Sequence, residues 1–334
     1  MASIRAKRLV FTGKRQVYLE GFEVPEPGVN EVRIQAHCSL MSTGTENIAF
    51  NRNFDPGTHW DKWVRYPFYP GYAMAGVIES IGSAVTTFKP GDQVVCRAKH
   101  ASYQLDAESR VFPFPSEIPM DRAPWFALAK IALHGALAAD YSLGDSVVVI
   151  GAGPIGQMSL RWARAAGATP LIVVDPITQR ASIAHFGGAS HCLSLPVEKA
   201  KSFIRKILDG DDPGIVVDTT GHSAIFPHAL DLVQPGGRVV ILGDTGSPKS
   251  QRLTSDAIIK GLSIVGAHDG NQVPGWDTQR MIRVFFQLVK EGCFSLDHLN
   301  THHFLPEACE DAYGLANRDR ENTMGILFDW REDG

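Results

Sequence analysis

Three glycines at fixed spacing carry the most legible chemistry in this chain: Gly151, Gly153 and Gly156, in the stretch VVVIGAGPIG. The four apolar residues before them read as a buried strand that a turn ends at once. The first glycine permits a tight turn, the second lets a pyrophosphate approach the backbone, and the third lets the next helix pack on the strand. Pro154 and Ile155 lead into that helix, so its N-terminus faces the phosphates. A second apolar strand, LIVVD, ends in Asp175, nineteen residues beyond Gly156. A carboxylate there accepts from the adenosine ribose hydroxyls and repels a ribose phosphate, which favours NAD as cofactor. Arg180, five residues later, leaves NADP open, or lies over the adenine. Thr219, Thr220 and Gly221 follow GIVVD, Gly243 and Asp244 follow RVVIL, and Ala267 and His268 end LSIVGAH. All stand at C-terminal strand ends, where a doubly wound sheet binds its ligand, with Ala267 and His268 expected near the nicotinamide.

These residues need a scaffold, and the chain supplies one in three parts. Up to about Phe114 it reads as short strands and turns, as in KRLVF, QVYLEGFEV and EVRIQAHCSL. A helix rich in alanine follows, with Asp121 as its expected N-cap, and six strands then alternate with helices. That alternation predicts an α/β fold with a doubly wound parallel sheet. After His268 the rhythm breaks into an amphipathic helix, the strand THHF, another helix and the strand MGILFDW. This tail is too small to fold alone and is expected to rejoin the first part. Eight aromatic residues crowd the interval from Phe50 to Tyr72, against 9% for the whole chain. They suit either the wall or lid of a ligand site or a loop clamped on the core by its own rings.

Composition narrows the function classes. At 334 residues there is room for two domains with real cores. A formal net charge of −4 gives no basic field for nucleic acid. No apolar run approaches the roughly 20 residues of a membrane helix, and MASIRAKRLVF lacks the apolar segment of a secretory leader, so a cytoplasmic protein is expected. The five cysteines are scattered without a C-x-x-C pair, against a disulfide framework or a four-thiolate zinc; small buried side chains are expected at all five.

PFYPGYAMAGVIESIG followed by FKPGDQVV, with GAGPIG downstream, resembles the medium-chain dehydrogenase/reductase superfamily over nearly the whole chain. The resemblance implies a β-rich GroES-like catalytic domain over residues 1–122 and 268–334, a Rossmann NAD-binding domain over 123–267, and a homodimer. An apolar sixth strand, LSIVGAH, at a sheet edge gives that dimer a physical reason. In zinc-dependent members the metal is held by a Cys, a His-Glu pair after Pro-Gly, and a later Cys or acid. Here STGTE puts Thr43 opposite the Cys, PGYA puts Tyr72 and Ala73 opposite the His-Glu pair, and the last position falls near Leu128. Threonine, tyrosine and leucine do not make a zinc site of the usual N/S type, so no metal is expected. STGTE, PGY and the ending THHF…EACEDAY…GILFDW resemble a zinc-lacking subgroup that includes dehydrogenases of the bacteriochlorophyllide hydroxyethyl group.

Oxidising an alcohol without a metal requires hydrogen-bond donors for the developing alkoxide and a base for its proton. The resemblance places Thr45 in the proton relay and Glu46 at the acid behind the metal ligands. Tyr72 would then donate to the substrate oxygen, Thr43 would add a second hydroxyl, and Lys130 or His134, one helical turn apart, would serve as base. Structural roles stay open for each: Thr43 and Thr45 as helix caps, Glu46 as acceptor for N–H groups at that helix start, Tyr72 and His134 as packed core residues, Lys130 as a solvated side chain. The expected activity is zinc-independent, NAD-dependent oxidation of a bulky or polyhydroxylated secondary alcohol to a ketone by hydride transfer, with a small molecule as the only partner besides a second copy. A reductase of quinones or activated double bonds, or a nucleotide sensor without turnover, are the competing readings.

Overall fold

A computed structural model describes residues 3–331. Met1, Ala2 and residues 332–334, the outer ends of the two expected catalytic-domain segments, lie outside the described residues.

The first part is β-rich, as its alternation predicts. It comprises β1 (Ile4–Gly13), β2 (Gln16–Val24), β3 (Glu31–Met41), α1 (Thr43–Asn51), α2 (His59–Trp63), β4 (Met74–Ile81), β5 (Gln93–Cys96), β6 (Tyr103–Ala107) and β7 (Val111–Pro113). β1 and β2 form an antiparallel ribbon. The long strand β3 organises the rest: β4 and β6 both pair with it antiparallel. Eight of its eleven residues are buried because both faces of the sheet pack against core here, Cys38 and Leu40 on one side and Val32, Ile34, Ala36 and Met41 on the other.

α3 (Phe126–Ala139) opens the second part. Asp121 does not cap it; a 3-10 turn over Ala123–Trp125 leads straight in, because Pro124 fixes the turn and the aromatic side chains are drawn into the core. Then come β8 (Val147–Ile150), α4 (Pro154–Ala165), β9 (Leu171–Val174), α5 (Thr178–Phe186), β10 (His191–Leu193), α6 (Lys201–Ile207), β11 (Ile215–Asp218), α7 (Phe226–Leu232), β12 (Arg238–Ile241), α8 (Asp256–Ile259) and β13 (Ser263–Gly266). The six strands form one parallel sheet in the order β10-β9-β8-β11-β12-β13. The order reverses between β8 and β11, and such a switch point opens a crevice at the strands' C-terminal ends. β8, β9 and β11 are buried at every residue, as strands covered on both faces must be.

The tail holds α9 (Thr278–Lys290), β14 (Asn300–Phe304), α10 (Cys309–Arg318) and β15 (Gly325–Asp329). β15 pairs antiparallel with β3 and carries β14 on its other edge, so the end of the chain completes the first sheet. α9 is capped by the Asp277 side chain, which accepts from Arg280 N–H at 2.7 Å. It buries Met281, Ile282, Phe285 and Phe286 in the core shared with α3 and α4.

Candidate functional site

One cleft of about 1050 Å³ runs between the strand ends of the parallel sheet and the β-rich part. That is at the upper end of the ~300–1,000 Å³ of a single small-molecule pocket. Its nucleotide half begins where β8 stops. Gly151 takes φ +91°, the left-handed region that glycine favours. A Cβ on Gly156 would lie 1.9 Å from the Gly151 carbonyl oxygen, so α4 starts this close only without a side chain there. Gly153 differs: a Cβ would meet nothing nearer than Arg180 Nη1 at 3.8 Å, and the space it leaves faces the cleft. That is the cradle a pyrophosphate needs, so these residues fit a dinucleotide. Pro154 and Ile155 line the cleft beside them.

Asp175 is buried at the end of β9; its Oδ2 accepts from Ala152 N–H at 2.7 Å and its Oδ1 from Ile177 N–H at 2.8 Å. Arg180 stands beside it and donates to the Arg320 carbonyl. Burial lowers the Arg180 pKa, against the pull of Asp175. Thr219 Oγ1 donates to the Ile150 and Gly151 carbonyls at 2.9 and 3.1 Å, tying the turn to the end of β11. Thr220 Oγ1 donates to Asp218 Oδ1 at 2.7 Å. Gly243 has no room for a side chain, since a Cβ would sit 2.1 Å from Gly221 N. Thr219, Thr220, Gly243, Ala267 and His268 all line the same cleft.

The facing wall comes from α1 and the turn before β4. Thr43, Thr45 and Tyr72 line the cleft, and so does Ser42. The Tyr72 hydroxyl donates to Ser42 Oγ in a short hydrogen bond and lies 3.3 Å from Thr45 Oγ1. Burial raises the phenol's pKa, and its two hydroxyl partners and Arg97 only partly offset this, so it is a neutral donor at neutral pH. Neither Thr43 nor Thr45 caps α1, whose N-cap is Ser42 without a side-chain cap bond. The carboxylate of Glu46 does that work from inside: Oε1 accepts from Ser42 N–H at 2.8 Å. Its Oε2 lies 3.0 Å from His100 Nε2 and accepts from Tyr313 O–H at 2.5 Å. Glu46 is therefore buried behind the wall and does not line the cleft.

Lys130 and His134 do share one face of α3, and both point at Asp269. Lys130 Nζ donates to Asp269 Oδ1 at 2.6 Å, whereas His134 Nε2 stays 3.7 Å away. Burial, then the Lys130 charge, lowers the His134 pKa. Arg97 binds the other Asp269 oxygen, and its guanidinium carbon lies 4.9 Å over the Tyr72 ring. Burial pushes the Asp269 carboxyl up, but Arg97 and Lys130 outweigh it and hold it below its ordinary value. Ser42, Arg97, Asp269, His100 and Tyr313 were not singled out from sequence. Ser42 was visible inside STGTE, but Arg97 and Asp269 are 172 residues apart, and nothing local marks either.

The aromatic segment divides between its two expected uses. Phe50 and Phe68 are buried in the core around β3, Trp60 is buried there and also borders the cleft, and His59, Trp63 and Tyr72 line it. His59 Nε2 lies 2.8 Å from Asp244 Oδ2, and Asp55 N–H donates to the Gly246 carbonyl at 2.8 Å, so the segment bridges to the loop after β12. The expectation for the cysteines fails at Cys293, which is exposed in the turn after α9, and Cys192 is only half-buried.

A zinc ion in the manner of the metal-dependent relatives does not fit this wall. The matching positions offer a threonine hydroxyl, a phenol already engaged with two hydroxyls, and Leu128, which is buried in the hydrocarbon core. Among the described residues no group of three or more His, Cys, Asp or Glu side chains is placed to hold a metal ion.

Comparison with known proteins agrees with this architecture. Residues 28–117 match the family described as alcohol dehydrogenase GroES-like domain, and residues 154–287 match the family described as zinc-binding dehydrogenase. The chain belongs to the medium-chain dehydrogenase/reductase superfamily, a family of pyridine-nucleotide oxidoreductases. An L-threonine 3-dehydrogenase of Anaeromyxobacter sp. (strain K) is 26% identical over 92% of this chain and 93% of its own length. Among solved structures, a zinc-binding dehydrogenase of Sinorhizobium meliloti bound to NADP superposes with TM-score 0.82 at 18% identity, covering 98% and 99% of the two chains. A short chain alcohol dehydrogenase of Escherichia coli complexed with NADH gives TM-score 0.82 at 20% identity over 97% and 99%. At these identities the structures speak for the fold. No helix among the described residues is long and apolar enough to cross a membrane.

Proposed function

We propose that the chain is an NAD-dependent, zinc-independent alcohol dehydrogenase that oxidises a secondary alcohol to a ketone. The observation that carries this reading is the Tyr72 hydroxyl, set in the cleft where a metal ligand stands in zinc-dependent relatives and hydrogen-bonded to Ser42 and Thr45. NAD in the glycine cradle supplies the hydride acceptor. The chain's own residues do the rest. With substrate bound, Tyr72 turns its one O–H from Ser42 Oγ to the carbinol oxygen, a bond that strengthens as alkoxide charge develops. Ser42, Thr45 and Thr43 form the cluster of hydroxyls that passes the carbinol proton to water in the open cleft, while the hydride goes to the nicotinamide. Glu46 positions that group by fixing the start of α1, and Lys130, with Asp269, holds Arg97 over the Tyr72 ring. Asp175 at the end of β9 supports NAD over NADP, since its charge opposes a ribose phosphate. The size of the cleft and the resemblance to the bacteriochlorophyllide-type subgroup support a bulky or polyhydroxylated substrate.

The test is a panel of polyols, sugars and hydroxyethyl tetrapyrroles incubated with NAD and followed by NADH absorbance. Turnover of at least one secondary alcohol is expected. No turnover with any of them, combined with NADPH-dependent reduction of quinones or enones, would overturn the reading.

A further inference from the structure

The half of the cleft beyond Tyr72 carries more positive charge than its acids can balance. Arg97 and Lys99 both line it while Ala98 between them is buried, so the two cations leave the end of β5 toward the same space. The nearby acids are engaged. Asp269 is held by Arg97 and Lys130, Asp106 by Arg110 at 3.1 Å, and Glu46 by three donors behind the wall. Lys99 alone of these cations makes no hydrogen bond or ion pair among the described residues. Partial desolvation within the cleft lowers the pKa of its ammonium, against the pull of Glu46 and with the push of Arg97. Lys99 is exposed to the cleft and paired to no carboxylate among the described residues, so its ammonium stands ready for a charge-assisted hydrogen bond to an anionic ligand.

We propose that this is an anion subsite: the substrate presents a carboxylate or phosphate group to Lys99, with Arg97 beside it, while its secondary alcohol meets Tyr72. The proposal rests on the alcohol dehydrogenase reading and narrows its substrate class. Arg97 lies 4.9 Å over the Tyr72 ring, so an anion that reaches Arg97 as well as Lys99 stands close to the carbinol held by Tyr72. Asp269 keeps the Arg97 guanidinium partly neutralised and in place, so Lys99 supplies the free charge.

The experiment uses two matched pairs, β-hydroxybutyrate against sec-butanol and α-glycerophosphate against glycerol, with NAD saturating and NADH absorbance as the readout. The ratio of kcat/KM, acid over neutral partner, is measured for wild type, Lys99→Met and Lys99→Arg. The ratio should exceed one in wild type and fall about ten-fold or more in Lys99→Met, through KM, with Lys99→Arg restoring most of it. Whichever pair shows the larger ratio identifies carboxylate or phosphate as the group bound. A second arm titrates inorganic phosphate and succinate into the NAD-saturated protein and follows the fluorescence of Trp60 and Trp63, which line the cleft. If none of the four alcohols yields NADH, this arm still decides the subsite, while the alcohol reading is decided separately by the wider alcohol panel. Tighter binding of either anion to wild type than to Lys99→Met, by about ten-fold, supports it. Equal ratios or equal affinities in the two proteins overturn it.

Discussion

At the scale of single residues, the two halves of the cleft were unequally legible. The nucleotide half is written in contiguous stretches: Gly151, Gly153 and Gly156 lie within six residues, and each does what its place in the turn requires. The facing wall is assembled from distant pieces, so sequence named Thr43, Thr45 and Tyr72 only by resemblance and passed over Arg97 and Asp269. Tyr72 is where the proposed chemistry is most exposed to test. A donor aimed at a charge that appears only as the hydride leaves stabilises the transition state more than the ground state. Losing one such donor typically costs on the order of 10²-fold or more in kcat. Tyr72→Phe keeps the ring under Arg97 and removes the hydroxyl. It should lower kcat by about that factor while leaving NAD affinity and melting temperature as in wild type. Normal turnover would make Tyr72 a packing residue.

At the scale of elements, hydrophobic period and turn residues located most strands and helices, because buried parallel strands are short, apolar and bounded by glycine. Boundaries set by tertiary contact were less visible. α3 begins at Phe126 after its 3-10 turn because Trp125 and Phe126 are wholly buried, an anchoring no capping residue announces. For the start of α1 the sequence offered both a hydroxyl cap and Glu46 as acceptor, and in the fold Glu46 accepts from Ser42 N–H while neither threonine caps. β13 is the clearest case of an element whose surroundings are unfinished. It ends the parallel sheet, Ile264 and Val265 are only half-buried, and Ile258 and Ile259 on the preceding α8 are exposed. An apolar edge of this kind templates pairing with another chain. We therefore propose that two copies join along β13 to continue the sheet. Light scattering at micromolar concentration should give the mass of a dimer, and a monomer would contradict the proposal.

At the scale of the whole molecule, the chain is a nucleotide-binding sheet facing a β-rich wall, and the cleft exists because β15 brings the end of the chain back to β3. Clasps cross that cleft at both depths, among them Arg97 to Asp269 deep inside and His59 to Asp244 at the aromatic rim. Within this frame the central proposal is that hydroxyls on the wall stand in for metal ligands. The direct test is alcohol turnover, followed as NADH absorbance, after exhaustive dialysis of the protein against a chelator. The account predicts the same rate before and after dialysis, with no increase on adding zinc. Activity lost on dialysis and restored by about one zinc per chain would contradict it.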